Sequence, residues 1–133
     1  MDFISIRVIT ADVDRMARFY GQLTNIEAVW STPDFAEVRT PRATIAIAHA
    51  KTLPALTPGT NSSVIVEFLS AEVDEVHARL TATAPDAGPT VVQEPTTMPW
   101  GNRSLLLRDP DGNLVNVFTP VTPAAKAKFA QPR

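Results

Sequence analysis

The sequence predicts an α+β fold made of two tandem βαβββ modules. The first observation is an internal repeat: at an offset of 60 residues, positions 9–14 align with positions 69–74 as identical or chemically similar pairs. The second is the turn sequence Asp-Pro-Asp-Gly-Asn at 109–113, which separates two segments rich in strand-forming residues. Such a turn is typical of a β-hairpin, because Pro fixes its φ near −65° and Gly accepts a positive φ. The repeat then predicts the same order of elements in both halves.

The composition is that of one ordinary domain with a hydrophobic core. Among 133 residues, 44% are hydrophobic, and the net charge of −2 argues against nucleic acid or an anionic membrane surface as the partner. No apolar run approaches the roughly 20 residues of a membrane span, and the N-terminus lacks the pattern of a signal peptide. The chain has no Cys, which excludes disulfides and thiolate metal sites. We therefore expect a cytoplasmic protein.

Each half begins with a strand, at about 4–9 and 64–69, that leads into an amphipathic helix. The helices are predicted over 13–23 and 73–83. Their apolar stripes are Val13, Met16, Ala17 and Tyr20 in the first helix, and Val73, Val76 and Leu80 in the second. Thr10 and Ser70 are predicted to be the N-caps, and the acidic residues that follow favour the positive end of each helix dipole.

Three strands are predicted after each helix. They lie at about 27–31, 36–39 and 44–49 in the first half, and at 90–93, 103–108 and 114–118 in the second. A segment with Pro54, Pro58 and Gly59 joins the halves. The predicted organisation is a single domain over 1–120, with module 1 at about 1–50, a linker at 51–62, module 2 at about 63–120 and a tail at 121–133. The tail is predicted to be either frayed or a short helix.

This ordered set of motifs resembles the vicinal oxygen chelate superfamily, which includes glyoxalase I, extradiol dioxygenases and the bleomycin- and mitomycin-binding resistance proteins. The motifs are Asp12-Val13-Asp14 with Phe19-Tyr20, Glu67-Phe68 with Glu72-Val73-Asp74, and Trp100-Gly101-x-Arg103 before the 109–113 turn. The resemblance covers residues 4–119. It implies the glyoxalase/bleomycin-resistance fold, in which the two modules form a cupped mixed sheet. It does not decide the reaction, because one fold supports many functions.

Catalytic members of that superfamily hold a divalent metal in the cup, with His or Glu from the first and last strand of each half. The resemblance places these positions at Ser5, Ile65, Asn116 and, within one residue, Ala46. None of the four provides an imidazole or a carboxylate, so we expect no metal and no cofactor. His77 is predicted on a helix surface. His49 is predicted at a strand end, and a role for it as a lone ligand or general base is the less favoured alternative.

Strand alternation places Ser5, Arg7 and Ile9 on one face and, by the repeat, Ile65, Glu67 and Leu69 on the equivalent face. In the cupped fold these residues point into the cup. Arg7 and Glu67 are equivalent in the repeat, so we expect them to face each other at its floor. The alternative is that both are solvated at strand ends.

The cup is then expected to be an apolar pocket with a few orienting polar groups. The candidate ligand-binding residues are Arg7, Trp30, Phe35, Glu67, Trp100, Arg103, Asn116 and Phe118. For Trp30, the sequence favours core packing and ligand contact equally. The resemblance is greatest to the metal-free drug-binding resistance proteins, which implies binding of a small planar or aromatic compound, with antibiotic resistance by sequestration as one use.

Two other function classes stay open. One is an enzyme of the same superfamily (a lyase, isomerase or dioxygenase-like protein) with atypical or cofactor-free chemistry. The other is a dimeric scaffold without a ligand. A homodimer is expected, because an open sheet edge and an unfilled concave face favour pairing with a second copy. The alternative is that the two halves of one chain close on each other alone.

Overall fold

The structure is a computed structural model that describes residues 1–83 and 89–130. Its elements are β1 (Ser5–Thr10), α1 (Val13–Thr24), β2 (Val29–Thr32), β3 (Phe35–Arg39), β4 (Thr44–His49), a 3-10 turn (Ala50–Thr52), β5 (Ile65–Leu69), α2 (Val73–Thr83), β6 (Thr90–Thr97), β7 (Asn102–Arg108), β8 (Leu114–Pro120) and α3 (Pro123–Ala130). The predicted α+β fold with two βαβββ modules is confirmed. Of the tail, residues 123–130 form a helix, whereas residues 131–133 lie outside the described residues.

The chain divides into two compact units, Met1–Thr60 and Asn61–Arg133, which we call unit 1 and unit 2. Each contains a four-stranded sheet, with strand order β1-β4-β3-β2 in unit 1 and β5-β8-β7-β6 in unit 2. In each unit the first and last strands are parallel neighbours, and the other pairs are antiparallel. No helix in the described part of the chain is long and apolar enough to cross a membrane.

The helix of each unit covers one face of its sheet. In unit 2 the covered face carries the buried Leu105, Leu107, Val115 and Val117. In unit 1 it carries the buried Ala36, Val38, Ile45 and Ile47. Burying these side chains supplies the main driving force for folding, at about 25 cal/mol per Å² of apolar surface. We call the opposite face of each sheet its open face.

The N-cap of α1 differs from the prediction. The N-cap of α1 is Asp12, whose Oδ1 accepts a hydrogen bond from the backbone N–H of Arg15 at 3.0 Å. The N-cap prediction for Thr10 is therefore wrong. Thr10 Oγ1 instead accepts from the N–H of Asp12 at 3.1 Å, and Ser70 Oγ accepts from the N–H of Glu72 at 3.2 Å. A hydroxyl that bonds two residues ahead folds the strand-to-helix turn, and the repeat preserves this contact in both units.

Strand β6 is longer than predicted, since it continues past Gln93 to Thr97 and includes Pro95. Pro lacks an N–H and is tolerated in a sheet only at an edge or an irregularity. Both conditions hold here, because β6 is one of the two edge strands of its sheet and its register with β7 shifts between Gln93 and Thr96.

The β7–β8 hairpin is confirmed, and its turn is held by the buried Asp109. Asp109 Oδ1 accepts hydrogen bonds from the N–H groups of Asp111 at 3.0 Å and Asn113 at 2.9 Å. Its Oδ2 accepts from Asn113 Nδ2 at 2.9 Å. Gly112 has a φ of 91°, which is the positive value that the turn sequence predicts.

Helix α3 is attached to unit 2 through the turn that precedes β7. The carbonyl oxygen of Gly101 accepts from the N–H groups of Val121 at 2.9 Å and Thr122 at 3.3 Å. Thr122 Oγ1 in turn accepts from the N–H of Ala125 in the first turn of α3 at 3.3 Å. Gly101 has a φ of 93°, and a Cβ at this position would overlap the Thr122 hydroxyl.

We predict that Gly101→Ala lowers the free energy of unfolding by about 1–3 kcal/mol, because Ala is strained at this φ and its methyl displaces Thr122. Gly59→Ala is the matched control, since a Cβ there meets no atom within 4 Å. It should change stability by less than about 1 kcal/mol. Urea unfolding of both variants measures the difference, and equal stabilities would contradict this account of α3 attachment.

Candidate functional site

The open face of unit 2 holds a carboxylate next to an amide. Glu67 in β5 is the register partner of Asn116 in β8, and Asn116 Nδ2 donates a hydrogen bond to Glu67 Oε2 at 2.8 Å. Asn116 is also the register partner of Leu106 in β7. The three side chains therefore form a row across the middle of the sheet, with the charged group on the edge strand β5.

Apolar side chains lie on both sides of this row. Ile65 and Leu69 stand two residues before and after Glu67, so they share its face of β5. They are 46% and 50% exposed, respectively. Small-molecule sites combine apolar surface with a few placed polar groups, and this face carries both. The structure thus brings together the predicted residues Glu67 and Asn116 in a setting that suits an organic ligand.

The open face of unit 1 contains two more of the predicted residues. The guanidinium carbon of Arg7 in β1 lies 5.8 Å from the centroid of the Phe35 ring in β3. The intervening strand β4 contributes Ala46 and Ala48, whose small side chains leave room for this cation–π contact. Arg7 and Glu67 belong to different units, and their facing each other stays a prediction.

The four metal-ligand positions do not fit a divalent ion. Ser5 and Ala46 in unit 1 and Ile65 in unit 2 provide one hydroxyl and two aliphatic side chains. Asn116, the fourth, donates its amide to Glu67. No group of three or more His, Cys, Asp or Glu residues among the described residues is arranged to hold a metal. Divalent ions in proteins require imidazole, thiolate or several oxygen ligands, and this donor set does not supply them.

His49 has a structural contact at the end of β4. Its Nδ1 accepts a hydrogen bond from the N–H of Lys51 at 3.1 Å, which caps the 3-10 turn. One ring nitrogen is therefore already engaged by the backbone.

Arg103 lies on the helix-covered face and not on the open face. Its Nε and Nη2 donate to Asp74 Oδ2 at 2.8 Å and Oδ1 at 2.9 Å, which joins β7 to the first turn of α2. This hydrogen-bonded pair holds the pKa of Asp74 below its ordinary value and raises the pKa of Arg103. The structure does not bring Arg103 together with Glu67 and Asn116, because its two donor nitrogens are turned towards α2.

Trp30 is also placed away from the open face. It is the register partner of Ala36, whose side chain is buried on the helix-covered face of unit 1. Trp30 lines a shallow groove there with Asp14 of α1. A register irregularity between Trp30 and Thr32 puts the next pair of β2 and β3, Thr32 with Phe35, on the open face. Trp30 and Phe35 thus lie on opposite faces of one sheet.

Phe118 lies on the open face of unit 2 but is covered by the C-terminal helix. The centroid of its ring is 5.0 Å from that of Phe129 in α3, and its side chain is only 6% exposed. A ligand that stacks on Phe118 would have to displace Phe129. Sequence reasoning missed Phe129, although a single aromatic residue in an Ala- and Lys-rich segment is a signal that the segment packs through it.

Trp100 lies in the turn between β6 and β7 and is 64% exposed. The turn is closed by hydrogen bonds from the N–H of Gly101 to the carbonyl of Met98 at 3.0 Å and from the N–H of Met98 to the carbonyl of Asn102 at 2.8 Å. Trp100 is therefore not a core residue, and its ring stands on a well-fixed backbone.

Comparison with known proteins identifies the family. The family model described as Glyoxalase/Bleomycin resistance protein/Dioxygenase superfamily matches residues 3–117. No curated protein matched the chain.

Several solved structures are similar to this chain. One is a glyoxalase/bleomycin resistance protein/dioxygenase family enzyme from Burkholderia phytofirmans PsJN, at 19% identity and a TM-score of 0.73, covering 88% of this chain and 97% of that one. Another is TioX from Micromonospora sp. ML1, at 21% identity and a TM-score of 0.69, covering 91% and 100%. A third is lactoylglutathione lyase from Agrobacterium tumefaciens, at 22% identity and a TM-score of 0.67, covering 89% and 92%. Likeness at these identities shows the fold alone.

Proposed function

The chain belongs to the Glyoxalase/Bleomycin resistance protein/Dioxygenase superfamily, and from this premise we propose that it is a metal-free binding protein for a small planar or aromatic organic compound. The observation that carries the proposal is the donor set at the four metal-ligand positions, none of which has an imidazole or a carboxylate. Without those ligands, what remains of the site is its shape, its apolar surface and its polar side chains. These are the properties of a binding site.

The residues that the structure leaves available on the open faces support such binding. Glu67 and Asn116 offer polar groups in unit 2, and Arg7 with Phe35 offers a cation over an aromatic ring in unit 1. Trp100 adds an exposed ring on a fixed turn. Arg103 and Trp30 are left out of the proposed site, because their contacts lie on the helix-covered faces. Sequestration of a toxic compound in the cytoplasm, as in antibiotic resistance, is the use that we propose.

We predict that Trp100→Ala weakens a bound aromatic compound at least tenfold without unfolding the protein. Stacking on Trp contributes about 0.5–1.5 kcal/mol beyond area burial, and tenfold weaker binding takes only about 1.4 kcal/mol. A thermal-shift screen of planar aromatic compounds identifies the test compound, since a ligand at 100 times its Kd adds about 2.7 kcal/mol to stability. Titration of the purified variant with that compound then measures the change in Kd.

Trp30→Ala is the matched control for this experiment, because Trp30 is partly exposed but lies on the helix-covered face of unit 1. It should leave the Kd within about twofold. If Trp100→Ala unfolds the protein, or leaves the Kd unchanged, the assignment of Trp100 to the site fails.

A homodimer is the second part of the proposal. The edge strand β2 has all four residues exposed, and Val29 is among the large exposed apolar side chains. Unpaired edges of this kind favour association with another chain. Static light scattering at micromolar concentration should give twice the 14.4 kDa mass of the chain. A monomeric mass would contradict this part and leave the binding proposal intact.

A further inference from the structure

We infer that the ligand is a planar organic cation, such as an aromatic amidinium or a protonated aromatic amine, and that the Glu67 carboxylate recognises its charged group. The inference rests on the proposed function and adds the charge of the ligand to it. It concerns unit 2 alone, in which Glu67 and its hydrogen-bond partner Asn116 are found.

The hydrogen bond from Asn116 fixes the carboxylate without neutralising it. Asn116 Nδ2 donates to Oε2 of Glu67 at 2.8 Å, and the amide carries no charge. A carboxylate offers about four lone-pair sites, and this bond uses one of them. The remaining sites suit two parallel N–H donors, which is the geometry in which a planar cation such as an amidinium or guanidinium binds a carboxylate.

The surroundings of Glu67 favour a cation that carries an apolar body. Ile65 and Leu69 flank it on the same face of β5 and are about half exposed, and Leu106 follows Asn116 in the row across the sheet. An aromatic ring attached to the cation can cover these side chains while its charged group meets the carboxylate. A neutral ring lacks the charge-assisted hydrogen bond, and an anionic ring is repelled by Glu67.

Arg7 occupies the position in unit 1 that is equivalent to Glu67 in the repeat. The partner of its guanidinium is an aromatic ring and not an amide. Its guanidinium lies over the Phe35 ring, so an aromatic side chain of its own sheet already engages it. The two equivalent positions of the repeat thus carry opposite charges in unlike settings. Only the one at Glu67 presents a carboxylate that a cationic ligand can approach.

Three probes with one benzene ring and different charges test the inference: benzamidine (cation), benzamide (neutral) and benzoate (anion). We expect titrations followed by NMR to show that benzamidine binds the full chain at least tenfold more tightly than the other two. Its affinity should fall as salt is added, because salt screens exposed charges. Glu67→Gln keeps the size of the side chain and an oxygen for Asn116, and it should remove the preference.

Glu75→Gln is the matched control, since Glu75 is an exposed carboxylate of unit 2 in the first turn of α2. It should retain the preference for benzamidine. Equal affinities for all three probes, each weakened by Trp100→Ala, would overturn the inference and support the proposed function. Binding of none of them would overturn both. A preference that survives in Glu67→Gln, or that appears only in Arg7→Ala, would overturn the inference.

Discussion

The alternation of side chains along the strands, combined with a single covering helix per unit, is the constraint on which the rest of the structure depends. One face of each sheet lies under α1 or α2 and carries much of the buried core of its unit. The other face is left for any function. Successive residues of a strand lie on opposite faces, so the face of a residue decides whether it meets the helix or the open surface. In β7, Arg103 binds the helix residue Asp74, whereas Leu106, on the other face, joins the row with Asn116.

The C-terminal helix modifies this division in unit 2. Helix α3 places Phe129 on Phe118 and so removes one aromatic side chain from the open face. Its attachment passes through Gly101 and Thr122, next to the exposed Trp100. The same turn therefore presents one aromatic ring and anchors the helix that covers another. Among the exposed side chains that remain on the open face of unit 2 are Ile65, Glu67 and Leu69 of β5.

The sequence predicted those features that depend on neighbouring residues. Helix starts, the hairpin at 109–113 and the faces of β1 and β5 follow from local periodicity and turn chemistry, and the family followed from the order of the motifs. Contacts between distant residues were not predictable in the same way. The partner of Arg103 lies 29 residues earlier, and the face of Trp30 depends on a register irregularity. Phe118 is covered by Phe129, which lies in the tail. From the sequence, this tail was predicted to be either frayed or a short helix.

We propose that side chains which cannot coordinate a metal occupy the ligand positions of this fold, so that its site binds an organic compound and no metal ion. The most direct measurement is elemental analysis of the purified, dialysed protein after incubation with zinc, nickel, iron and manganese salts. We expect the dialysed protein to retain well under about 0.1 equivalent of any of these metals per chain. The reason is that weak donors do not hold an ion through dialysis, and the four ligand positions carry only Ser5, Ile65, Asn116 and Ala46. Retention of about one equivalent per chain or per dimer would contradict the claim.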